Sequence, residues 1–141
     1  MSNYYETDQF GDIEAPAFLK VIVDEVVAIY GPSAQVTYAL EEFVIERDQA
    51  VGLGLVVTEV VSNACKYGAS AAGDLILKVS LQKKTEREAL LTIEDKGLGF
   101  DPASSKKGMG SRLVEVFSAS LGSCSYSFEN GTRFSLTIET H

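Results

Sequence analysis

The sequence predicts a layered α/β (α+β) sandwich: a mixed, mostly antiparallel sheet with helices packed on one face. Three observations carry this expectation. Short runs rich in β-branched and aromatic residues are interspersed with longer stretches whose apolar residues recur every three or four positions. The strand-like runs come in pairs, as hairpins separated by helices, which argues against a doubly wound parallel sheet. Apolar content of 45% and charged content of 23% over 141 residues suit one globular domain that buries its core without staples.

Residues 1 to 13 show no period and read as a loose leader, with a single domain from 14 to 141. "APAFLKVIVDEVVAIYG" (15 to 31) sets Phe18, Val21, Ile22, Val26 and Ile29 at helical spacing, and Gly31 with Pro32 stops it. "AQVTYAL" and "EFVIER" read as two strands around Glu41 and Glu42. Asp48 is placed to cap a long helix from about 49 to 67, closed by Gly68. After the loop "GASAAGD", "DLILKVSL" (74 to 81) and "EALLTIED" (88 to 95) are strands joined by the charged, solvated turn "QKKTERE". "DKGLGFDPASSKKGMG" is irregular. A helix, "SRLVEVFSASLG", follows with Gly122 as its terminator, and "SCSYSFE" and "TRFSLTIE" close the chain as a hairpin about Asn130-Gly131.

The formal net charge of -8 disfavours bulk attraction to nucleic acid or an anionic membrane. Cys65 and Cys124 stand alone, without the spacing of a zinc site or a disulfide framework, and suit a reducing cytoplasm. No apolar run approaches the roughly 18 residues of a membrane span, and the polar, acidic start is unlike a secretory signal peptide. A cytoplasmic location is expected.

Three clusters carry chemistry. In "VVTEVVSNACKYG", Glu59, Asn63 and Lys66 follow at steps of four and three, so one helix face holds all three. Alone, such a stripe is also what a solvated face would show. Asp95 ends an apolar strand and runs into "KGLGF", where a carboxylate beside two glycines could accept from an exocyclic amine; an ordinary turn has the same letters. "KKGMGS" precedes a helix, so backbone N–H groups and the positive end of the helix dipole suit an anion, with Lys106 and Lys107 adding charge. It is no Walker loop, because no GK[ST] follows, and GLGFDP opens no helix as a dinucleotide fingerprint would. "GLGL" (52 to 55) lies within the long helix, so Gly52 and Gly54 read as close-packing positions.

In their order, "TEVVSNACKYG", "EDKGLGF", "KGMGSRLV" and "NGTRFSLTI" resemble the N box, G1 box, G2 box and terminal GT motif of the GHKL (Bergerat-fold) ATPase superfamily. Within it the chain is most similar to the catalytic and ATP-binding domain of bacterial sensor histidine kinases, from about residue 15 to 139. The resemblance implies ATP and Mg²⁺ as ligands. Asn63 would ligate the metal, with Glu59 ordering its water shell; Lys66 would face phosphate, and Tyr67 would line the nucleotide. Asp95 would accept from the adenine amine, supported through water by Thr132. Gly97 and Gly99 would let a lid turn, while Lys107, Gly108, Met109 and Gly110 would meet the phosphates.

The chain departs from the family pattern in places. The stretch from Asp101 to Gly108 is short, no phenylalanine box is evident, and the absence of tryptophan with Thr58 before Glu59 disfavours a sister kinase group. The only histidine, His141, reads as a terminal residue, so the phosphoacceptor is expected upstream in a longer chain or on another protein. The implied partners are a histidine-bearing dimerisation domain and a response regulator. Two alternatives are an anti-sigma-factor serine kinase acting on an antagonist protein, and a nucleotide-dependent binding module without transferase activity.

Overall fold

Strict alternation in "EALLTIED" determines which side of the sheet is dry. Ala89, Leu91, Ile93 and Asp95 are buried, while Glu88, Leu90, Thr92 and Glu94 turn to the other face. The computed structural model describes residues 12–67, 75–95, 121–127 and 132–140. Their elements are β1 (Asp12–Glu14), α1 (Ala15–Tyr30), β2 (Gln35–Leu40), β3 (Val44–Glu46), α2 (Arg47–Tyr67), β4 (Ile76–Thr85), β5 (Glu88–Asp95), β6 (Gly122–Ser127) and β7 (Thr132–Glu139). Five strands form one sheet in the order β2-β4-β5-β7-β6, and β1 with β3 forms a separate two-stranded ribbon. Only β2 against β4 is parallel in the larger sheet. The expected two-layer, mostly antiparallel sandwich is what forms.

Leu77, Val79 and Leu81 of β4, the buried row of β5, and Phe134, Leu136 and Ile138 of β7 make one apolar floor. Onto it α2 lays Leu53, Val56, Val57, Val60, Val61 and Ala64, and α1 adds Leu19, Val23, Val26 and Val27. Each fully buried aliphatic side chain contributes on the order of 1.5–3 kcal/mol.

Several local expectations are corrected. "AQVTYAL" and "EFVIER" are not a hairpin, because β2 joins the main sheet and β3 pairs with β1. Alternation alone does not say which partner a strand takes. Asp12 and Ile13, read as leader, pair with Glu46 and Ile45. On α1 the buried side is Ala15, Leu19, Val23, Val26 and Val27, leaving Val21 and Ile29 exposed. Val21 lies within the polar arc of Lys20, Asp24 and Glu25 and Ile29 at its edge, so their apolar character alone misplaced them. β4 runs to Thr85, so the charged stretch is mostly strand, with a register irregularity between Lys83 and Thr85.

The start of α2 also differs. The helix begins at Arg47, with Asp48 in its first turn, and the cap comes from Gln49, whose Oε1 accepts from the Glu46 N–H at 3.1 Å. This is the backward half of a capping box. Gln49 Nε2 also donates to the Glu139 carbonyl at 2.5 Å, fixing the start of α2 over the end of β7. The expected helix "SRLVEVFSASLG", up to its last two residues, and the Asn130-Gly131 turn lie outside the described residues, and Gly122, expected as the helix terminator, opens β6. β6 and β7 pair antiparallel, as a hairpin requires.

Candidate functional site

The site is built at one end of the molecule by the last turns of α2 and the end of β5. Gln49 holds the start of α2 beside Glu139, which is in register with Glu88 at the start of β5. At the other end, a Cβ on Gly31 would lie 2.9 Å from Cys65 Sγ, so the last turns of α2 abut the residue that caps α1. Gly31 accepts from the Ala34 N–H at 2.8 Å, Gln35 then pairs with Ile76, and Leu77 pairs with Asp95. These links bring the end of α2 and the end of β5 to the same edge of the sandwich. Asp95 belongs to the row covered by helices, and α2 contacts β5.

Asp95 is 4% exposed, and its backbone stands opposite Thr132 on β7 and Leu77 on β4. A carboxylate kept this dry is held for hydrogen bonding rather than solubility. One position earlier, and on the opposite face, Arg133 Nε meets Glu94 Oε2 at 2.8 Å and pins β5 to β7. The register alone would have revealed this pair, because opposing Asp95 to Thr132 also opposes Glu94 to Arg133.

On α2, Glu59 and Asn63 are half-buried and one turn apart, and Lys66 is exposed in the last turn. Gly54 and Cys65 mark the side of the helix against α1: a Cβ on Gly54 would meet Ile22 at 3.1 Å and Phe18 at 3.3 Å. That crowding agrees with the close-packing reading of Gly54. Asn63 follows Gly54 by nine residues, two and a half turns, so the Glu59–Asn63 stripe faces away from α1. The Lys66 ammonium nevertheless lies 5.5 Å from the centre of the Tyr30 ring, at the end of α1. Nothing in the sequence links these two positions, so Tyr30 could not be found from it.

Of the other candidates, Tyr67 ends α2 and Thr132 opens β7, and their side chains are not described. Gly97, Gly99, Lys107, Gly108, Met109 and Gly110 lie outside the described residues. Among the described residues no three histidine, cysteine, aspartate or glutamate side chains gather as a metal cluster. No helix among the described residues is long and apolar enough to cross a membrane.

The sheet is backed by helices, and a buried acid ends β5 at the edge where the last turns of α2 lie. Residues 48–141 match the family of histidine kinase-, DNA gyrase B-, and HSP90-like ATPases, and the chain belongs to that family. No curated protein matches it. The fold is shared with the histidine kinase domain of the Erythrobacter litoralis EL346 blue-light activated histidine kinase, at a TM-score of 0.80 and 22% identity over 90% of this chain and 61% of that one. The mycobacterial sensor histidine kinase MprB aligns at a TM-score of 0.75 and 17% identity, over 91% and 95% of the two chains. Full-length ShkA, solved in complex with AMPPNP, aligns at 0.70 and 13% over 92% of this chain and 31% of its own. The chain thus spans under two thirds of the Erythrobacter domain and about a third of ShkA.

Proposed function

We propose that this chain is the ATP-binding catalytic domain of a histidine kinase, presenting Mg·ATP for γ-phosphoryl transfer to a histidine on a separate helical domain. One observation carries the reading: Asp95, on the helix-covered side of the sheet, lies at the same end as the last turns of α2. Family membership and the shared histidine-kinase fold support it, and ShkA, of the same fold, holds a nucleotide analogue.

Phosphoryl transfer asks a protein mainly for positioning and charge neutralisation. Asp95 accepts from the adenine amine and sets the depth of the purine, with Thr132 beside it. The Asn63 amide oxygen and Glu59 carboxylate, a turn apart, are the hard oxygen donors that would hold Mg²⁺ or its water shell. When bound, the ion neutralises charge on the phosphate oxygens. Lys66 and Lys107 add positive charge, and the Gly108–Gly110 backbone offers N–H donors. The bond to the β–γ bridging oxygen breaks, a phosphorus–nitrogen bond forms on the acceptor histidine, and ADP leaves. A response regulator then receives the phosphoryl group, as in two-component signalling in the cytoplasm.

The test mixes the chain with γ-labelled Mg·ATP and the histidine-bearing helical domain of its native system. Acid-labile, base-stable label on that domain is expected, and its loss with Asn63→Ala. Acid-stable label on a serine of an antagonist protein would support an anti-sigma-factor kinase instead, and nucleotide binding without transfer to any partner a binding module.

A further inference from the structure

We infer that Tyr30 is a positioning residue that withholds Lys66 from the nucleotide site when no nucleotide is bound. The inference rests on the reading above, in which Lys66 faces phosphate. The Lys66 stem leaves α2 on the stripe of Glu59 and Asn63, about a third of a turn round from Gly54 and Cys65, and its ammonium sits 5.5 Å from the Tyr30 ring centre on α1. To reach a phosphate near Asn63 it must leave the ring. Lysine suits this, being a point charge on a flexible four-carbon stem.

The two partners are built for exchange rather than for a permanent tie. Tyr30 is 49% exposed and ends α1, and Lys66 is exposed in the last turn of α2. A cation over an aromatic face at an exposed site is held weakly, whereas a charge-assisted bond to phosphate is among the stronger polar contacts. The triphosphate therefore wins the lysine, but its apparent affinity is lowered by the cost of leaving the ring. Two neighbours limit where the ring and the helix end can move. Gly31 abuts Cys65, and the Gly31 N–H donates to the Val27 carbonyl at 2.8 Å, which fixes the end of α1 against α2.

Calorimetry on the full chain with a non-hydrolysable Mg·ATP analogue, and with adenosine as the phosphate-free control, tests this. Tyr30→Leu should tighten the analogue about two- to five-fold, the size of an exposed cation–π contact, and leave adenosine unchanged. Tyr30→Phe, which keeps a π face, should return the wild-type value, and Tyr30→Trp, with the stronger face, should weaken the analogue. In a Lys66→Met background none of the three should matter. Weaker or unchanged analogue binding in Tyr30→Leu, or equal shifts for the analogue and adenosine, would overturn the inference while leaving the Lys66 assignment intact. Wild-type affinity in Lys66→Met would overturn that assignment and the inference with it. Should Tyr30→Leu not fold, the Phe and Trp pair decides by its sign.

Discussion

Asp95, the last residue of β5, stands directly opposite Thr132, the first residue of β7. The two come from the second and fourth motifs of the sequence, and the strand register makes them neighbours. If the buried carboxylate reads the adenine amine, Asp95→Asn should lower ATP affinity by about 1.5–3 kcal/mol, ten- to a hundred-fold, without weakening GTP. Competition calorimetry with the two nucleotides measures this, and an unchanged ATP-to-GTP ratio would refute the contact.

Asn63 is half-buried on a helix whose other faces carry the packing. Asn63→Ala should abolish the Mg²⁺-dependent part of nucleotide binding while leaving the melting temperature close to wild type. Chelating the metal should reduce the wild-type protein to the affinity of the variant. A variant that still tightens on adding Mg²⁺ would remove Asn63 from the metal site.

Gln49 joins two elements with one side chain, accepting from the Glu46 N–H and donating to the Glu139 carbonyl. Gln49→Ala removes both bonds, uncapping α2 and releasing its start from the end of β7, so a cost of about 1–3 kcal/mol in chemical denaturation is expected. Nucleotide affinity should hold, because the proposed site lies at the far end of α2.

Any side chain at Gly31 meets Cys65, since a Cβ there would sit 2.9 Å from the sulfur. Gly31→Ala should destabilise by about 1–3 kcal/mol through overpacking. Adding Cys65→Ala, which removes the sulfur, should recover part of that loss, and a double-mutant cycle reads the coupling.

Burial raises the Cys65 thiol above its ordinary range. The folded state thus favours the protonated thiol, so its contribution to stability is present at low pH and fades as pH rises past the value of an unfolded cysteine. Alkylation of Cys65, followed by peptide mass spectrometry, should be slow near neutrality and keep rising at pH values where a free cysteine has levelled off.

The sequence was most legible where pattern and packing coincide. β5 was legible as a strand with its bounds, and α2 was bounded within two residues because Asp48 and Gly68 flag its ends in the sequence. α1 was legible as a helix but not in its orientation, since Val21 and Ile29 are as apolar as the buried Leu19 and Val23. The partner of β2 was hidden because its mate β4 lies beyond a whole helix, and a parallel neighbour leaves no turn signal. The four motifs identified Asp95 and Asn63 as candidates. That their elements end at one edge of the molecule emerged only from the register and from the contact of Gly31 with Cys65.

The parallel pairing of β2 with β4 has a kinetic consequence. Gln35 must find Ile76 across an intervening ribbon strand and the full length of α2, whereas β4 with β5 and β6 with β7 join sequence neighbours. Closing so large a loop costs chain entropy before any contact repays it. The β2 edge is therefore expected to dock last in refolding, after the antiparallel strands have collapsed under α2, and to be the first strand released in hydrogen exchange.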